Sequence, residues 1–210
     1  MRVRKYQILS LKAGIAVPFL YFGSVVAAAL FYPGFSFVRQ FASELGADGA
    51  PCPQILNVGI ITFGVASLIT TYGYWCALRH LGAKPILARL TCYVLAMFGV
   101  AMLMAGLFPI PNYLMHSGLG LGLPIIIAPT LLATALKGCG GTRRLRNYLF
   151  VTNMLVLVVL VFYIGATHSK VVGLGQLLYT LAAIPWIGIS AYVLLSHVTK
   201  DPHGRATVSA

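Results

Sequence analysis

The chain has 210 residues, of which 59% are hydrophobic and 9% charged, with a mean hydropathy of +0.89. A soluble domain carries about 25% charged residues, so composition excludes a water-exposed globule and points to an all-α integral membrane protein. A net charge of +12 would suggest nucleic acid in a soluble protein; here the gathering of Lys and Arg in the loops on the cytoplasmic side of a membrane accounts for it, and no nucleic-acid partner is expected.

The first apolar run covers 13–32 and follows Arg2, Arg4, Lys5 and Lys12. About 20 residues span roughly 30 Å of hydrocarbon as a helix. Ala27-Ala28-Ala29 resembles a signal-peptide cleavage site, but the run is long for a signal core, and Phe31 and Tyr32 close it as an interface anchor would; a retained helix is expected. After Pro33-Gly34 comes the longest break, 35–57, which holds Glu44 and Asp48, two of only three acidic residues in the chain. Within it Phe35, Val38, Phe41 or Ala42, and Leu45 recur at helical spacing, which predicts a short amphipathic stretch in the interface. Asp48 follows Glu44 by four residues, but Gly46 and Gly49 weaken a shared helical face and make Asp48 the lesser candidate.

The second run, 55–78, carries no charge; Asn57, Gly59 and Gly64 suit helix–helix contact. The third, 90–108, ends in Pro109-Ile110-Pro111-Asn112-Tyr113, which no continuous helix would carry. The fourth, 116–136, has Gly118, Gly120 and Gly122 for close packing and Pro124 and Pro129 for kinks. The fifth covers 148–167 and the sixth 174–196, separated by the short turn His168-Ser169-Lys170. A polar tail, 197–210, is expected to be flexible.

Six spans in one bundle follow. Of the 15 Lys and Arg, four precede the first run, three lie between the second and third, four between the fourth and fifth, and two in the tail. That makes 13 on one side, against only Arg39 and Lys170 on the other. The split predicts cytoplasmic N and C termini in a multi-pass protein of the cell (inner) membrane. The cysteines, Cys52, Cys76, Cys92 and Cys139, form no CxxC pair and read as small apolar fillers.

This topology gathers Glu44, Asp48, His116 and His168 at the outer boundary. One reading is structural, with Glu44 capping a turn or pairing with Arg39 or Lys170. A second is acid–base chemistry: His116 or His168 with a carboxylate to orient it, and Ser43 or Ser169 as a nucleophile on a lipid carbonyl or phosphate. His116 as base with Glu44 as its orienter is the specific form. No cofactor is expected. The alternative is a divalent metal such as zinc on His116, His168, Glu44 and Asp48, although no HExxH-like spacing supports it. No Asp, Glu, Lys or Arg falls in mid-run, which argues against an ion-coupled pump and leaves a small-molecule or lipid permease as a further alternative.

Ser43-Glu44-Leu45-Gly46-Ala47, Ala50-Pro51, Asn57, Gly59, Gly64, Gly106-Leu107-Phe108-Pro109 and His116 resemble the pattern of the domain-of-unknown-function 998 family of six-helix bacterial and archaeal membrane proteins. That family is distantly similar to the Frag/DRAM/Sfk superfamily, which includes a factor for remodelling lipid anchors. The resemblance implies a six-helix membrane fold and places the family motif on Ser43, Glu44, Asn57, Pro109 and His116; it says nothing comparable of His168. The expected function is a lipid-interacting binding or accessory protein with an outward-facing polar pocket. An outer-leaflet lipid-modifying enzyme using His116 and Glu44 is the alternative. Membrane lipids are the expected partners, together with a homo-oligomer or a second membrane protein.

Overall fold

Prolines and glycines set the helix ends in the computed structural model, which describes residues 2–199. The chain runs as α1 (Arg2–Leu30), a 3-10 turn (Ala42–Gly46), α2 (Pro53–His80), α3 (Pro85–Leu107), α4 (Tyr113–His116), 3-10 turns at Gly118–Gly120 and Leu123–Ile127, α5 (Ala128–Ala135), α6 (Arg143–Ala166), α7 (Val172–Ala183) and α8 (Pro185–Thr199). No strand occurs among the described residues. Helices α2 and α3 each begin on a proline in the first turn, where a missing N–H costs no hydrogen bond. Between them the chain reverses at Gly82, in the left-handed region at φ 75°, and the Ala83 N–H donates back to the Leu78 carbonyl at 3.0 Å.

Five helical stretches are long and apolar enough to cross a membrane: Arg4–Leu30, Pro53–His80, Pro85–Leu107, Arg143–Ala166 and Val172–Thr199. The last combines α7 and α8. Pro185 interrupts it by withholding an N–H, while the Tyr74 hydroxyl bonds the Ile187 carbonyl at 2.8 Å just beyond the break. Helix α2 packs on α1 and α3 along most of its length, and α8 lies against α1. The α2–α3 crossing needs glycine: a Cβ on Gly64 would stand 2.8 Å from the Leu103 nitrogen and 2.9 Å from the Gly99 carbonyl. Backbones approach this closely only where side chains are absent. Phe63, Tyr74, Leu78, Leu95, Leu132 and Trp186 fill the core.

The fourth apolar run, expected as one helix over 116–136, is instead a chain of turns leading into the short α5. Gly118, Leu119 and Gly120 all have positive φ, at 61°, 52° and 76°. Such backbone cannot continue a right-handed helix, and Pro124 and Pro129 each remove a further donor. Gly118 lies flat on Ala101 of α3, where a Cβ would come within 2.7 Å; the glycines do serve close packing, by breaking the helix rather than lining it. The stretch 35–45, expected to be amphipathic and helical, is a set of turns ending in the 3-10 turn. Its anchor is Leu45, 1% exposed. Of the tail, His197, Val198 and Thr199 complete α8, and the remainder lies outside the described residues.

Candidate functional site

The segment 35–57 is tied down across one end of the bundle. The Leu174 N–H at the start of α7 donates to the Val38 carbonyl at 3.1 Å. The Ala42 N–H donates to the Gln176 Oε1 at 2.6 Å. Asn57 Nδ2 in the first turns of α2 donates to the Gly46 carbonyl at 2.9 Å, and the Asp48 N–H donates to the Ile110 carbonyl at 3.1 Å. Three separate elements, α7, α2 and the turn after α3, therefore fix one loop through four hydrogen bonds, and beneath it lies a cavity of about 240 Å³.

The cavity has a polar end and an apolar depth. Ser43, Asn57, His116 and Gln176 line it close to the fixed loop, and Tyr21, Ile60, Phe98 and Ile184 line it farther in. Phe98 sits seven residues before Ala105 on α3, and Ile184 eight after Gln176 on the α7 side. At 1.5 Å per helical residue the cavity reaches roughly 10 Å below its polar end. Its inner wall is aromatic: Phe63 packs on Tyr21 and on Phe98, each at a centroid distance of 5.6 Å. Tyr163 and Tyr179, also in the lining, stack on each other at 5.7 Å and 19°.

His116 is the best-defined polar group. Its Nδ1 lies 3.0 Å from the Ala105 carbonyl and 3.1 Å from the Phe108 carbonyl. Two acceptors can share only a donor, so Nδ1 carries the proton and Nε2 is the atom left for chemistry. Nε2 has no hydrogen-bond partner among the described residues. Helix α3 supplies these carbonyls because it ends at Leu107, leaving its last turn without internal donors.

Glu44 does different work. One carboxylate oxygen accepts the Phe41 N–H at 2.8 Å and the other accepts Gln40 Nε2 at 3.3 Å, which caps the 3-10 turn that carries Ser43. Glu44 does not line the cavity, and the backbone carbonyls of Ala105 and Phe108 occupy the orienting position expected of it beside His116. His168 is exposed in the turn between α6 and α7 and is also outside the lining. Asp48 is exposed and engages α3's end through its backbone alone. Among the described residues no three His, Cys, Asp or Glu side chains come together as a metal-binding group. The geometry thus joins Ser43 and His116, with Asn57, and separates Glu44, Asp48 and His168 from them.

Gln176 and the tyrosines Tyr21, Tyr163 and Tyr179 were not anticipated. Gln176 had a signal: an amide inside an apolar run is costly unless it bonds within the bundle. The tyrosines had none, since aromatic residues in apolar runs more often serve as plain core.

An all-helical chain with five membrane-length apolar helices defines a multi-pass membrane protein. Within that class, the family described as "Protein of unknown function (DUF998)" matches residues 15–193, and the chain belongs to it. No curated protein and no solved structure gives a significant match.

Proposed function

We propose that this protein is a lipid-binding or accessory protein of the cell membrane, which takes one apolar chain into the cavity and holds the attached head at Ser43, Asn57 and His116. The cavity carries the reading, because it joins a polar end to an aromatic and aliphatic depth in one space of about 240 Å³. An apolar cavity of about 150 Å³ is enough to bind benzene, so this one suits a single chain rather than a whole diacyl lipid. The 13-to-2 division of Lys and Arg supports cytoplasmic termini and an outward-facing polar end. In this reading 113–136 is the sixth crossing, with its irregular backbone covered by α3. The test is native mass spectrometry of the purified chain. A co-purifying amphiphile that is lost on Ile60→Phe, which fills the depth, is the expected result; a bare protein under conditions that retain other lipids would refute it.

A second reading, an outer-leaflet lipid hydrolase or transferase, is favoured by one observation. The Ser43 hydroxyl and His116 Nε2 are both without a partner among the described residues, and both residues line the same cavity. In that case Nε2 would take the Ser43 proton as Oγ added to an ester carbonyl, with expulsion of the alcohol and later hydrolysis of the acyl-serine. Glu44 would act only by holding Ser43 in place. Lipid profiles of cells with the wild-type chain, Ser43→Ala and His116→Ala decide it: three identical profiles leave only the binding reading.

A further inference from the structure

The cavity's polar end carries no Lys, Arg, Asp or Glu, and this limits what can bind there. None of its lining residues is Lys, Arg, Asp or Glu. The two cationic residues expected on this side, Arg39 and Lys170, are both exposed and outside the lining. Glu44 has its carboxylate spent on Phe41 and Gln40. A phosphate or carboxylate head moved out of water needs a cation or several convergent N–H groups, and without them its burial is strongly unfavourable.

The groups that are present are a hydroxyl, two amides and an imidazole, and they include both donors and acceptors. Ser43 offers a hydroxyl. Asn57 spends Nδ2 on the Gly46 carbonyl and keeps Oδ1 as an acceptor. Gln176 spends Oε1 on the Ala42 N–H and keeps Nε2 as a donor. His116 spends Nδ1 on two carbonyls and keeps Nε2. A quaternary ammonium could use open aromatic faces, but Tyr163 and Tyr179 each cover one face of the other.

Building on the proposed amphiphile site, we infer that its ligand class is an uncharged single-chain amphiphile whose head presents hydroxyls or an ester, such as a monoacylglycerol, rather than a phospholipid or a free fatty acid. Mixed donors and acceptors match a glycerol ester, which both gives and takes hydrogen bonds. An aromatic and aliphatic shaft roughly 10 Å deep takes the first part of the chain.

The experiment measures saturable binding of four radiolabelled decanoyl probes to the full chain in phosphatidylcholine nanodiscs, with empty nanodiscs subtracted. The probes are 1-decanoylglycerol, decanoate, decanoyl lysophosphatidate and decanoyl lysophosphatidylcholine. The glycerol ester should bind at least tenfold more tightly than each of the others, and Ile60→Phe and Ala183→Leu should each weaken it at least tenfold. If any charged or zwitterionic probe binds as tightly, the inference about ligand class falls while the amphiphile site stands. If no probe saturates above empty nanodiscs, the site and the inference fall together. Tight glycerol-ester binding untouched by both cavity-filling variants would place that ligand elsewhere and overturn the inference too.

Discussion

The imidazole of His116 is clamped to the end of α3, its Nδ1 3.0 Å from the Ala105 carbonyl oxygen. This contact fixes the ring's tautomer and fastens the broken fourth segment to α3 at once. His116→Ala should therefore lower stability by about 1–2 kcal/mol, the order expected for losing one shared hydrogen bond and leaving carbonyls unpaired. His116→Asn should restore most of that loss, since the Asn amide nitrogen lies at the same δ position and can donate to the same carbonyls. It removes Nε2, however, so ligand binding should remain impaired. Thermal unfolding in detergent reads the first effect and probe binding the second. Equal stability of His116→Ala and the wild type would refute the clamp.

Glu44 should behave as a capping residue. Glu44→Ala exposes the Phe41 N–H and frees Gln40, at a cost of about 1 kcal/mol. Glu44→Gln retains an oxygen that can accept from Phe41 and should be milder. A catalytic orienter would show the reverse economy, with Gln as damaging as Ala to any turnover and neither affecting stability. Paired unfolding and activity or binding measurements on both variants separate the two roles.

The length of the apolar runs exposed the long helices of the bundle, and particular residues show where that reading stopped. Long uncharged runs marked α2, α3 and α6 because nothing but a helix satisfies backbone groups in hydrocarbon. The run 116–136 is equally apolar, yet it is not a continuous helix; hydropathy reports burial, not φ, and three successive positive φ values at Gly118, Leu119 and Gly120 leave no trace in it. Counting glycines as packing residues was correct for Gly64 and incomplete for Gly118. The site was half legible. Ser43, Asn57 and His116 line the cavity, whereas Glu44 faces its own turn, because a 3-10 turn does not place residues as an α-helix would. Gln176 lies 133 positions beyond Ser43 in the sequence, and only the tertiary fold, through the Ala42–Gln176 hydrogen bond, brings the two to one cavity.

The α2–α3 contact gives a stability prediction independent of any ligand. Gly64→Val places atoms against the Leu103 nitrogen and the Gly99 carbonyl, backbone groups that cannot swing aside, and should cost about 1–3 kcal/mol or more as the helices are forced apart. Gly23→Ala is the control: it meets nothing within 4 Å and removes a flexible helical glycine, so it should be neutral or slightly stabilising. Comparable unfolding temperatures for the two variants would contradict the close crossing.

Cys139 supplies a pH test on the opposite end of the bundle. Burial pushes its thiol up from the ordinary value, and Arg146 nearby pulls partly the other way. The thiolate is the reactive form, so a raised pKa means slow alkylation at neutral pH. In a chain retaining only Cys139, the N-ethylmaleimide rate should keep rising tenfold per pH unit beyond about pH 8.5, where an ordinary thiol levels off. Arg146→Gln should slow it further. A rate that levels off just above about pH 8.5 would show an unshifted thiol.

Orientation is tested by two exposed positions at opposite ends. Ser169 lies in the α6–α7 turn beside the loop that covers the cavity, and Gly140 lies in the turn before α6, with nothing within 4 Å of a built Cβ. With the native cysteines replaced by Ala, Ser169→Cys should react in intact cells with a maleimide that cannot cross the membrane. Gly140→Cys should react only after permeabilisation. The expectation follows from where the basic residues lie: Lys137, Arg143, Arg144 and Arg146 flank Gly140, and Lys170 alone adjoins Ser169. The reverse pattern would turn the cavity toward the cytoplasm and move its ligand from the outer leaflet to the inner one, while leaving the side chains of its polar end, with no Lys, Arg, Asp or Glu among them, unaltered.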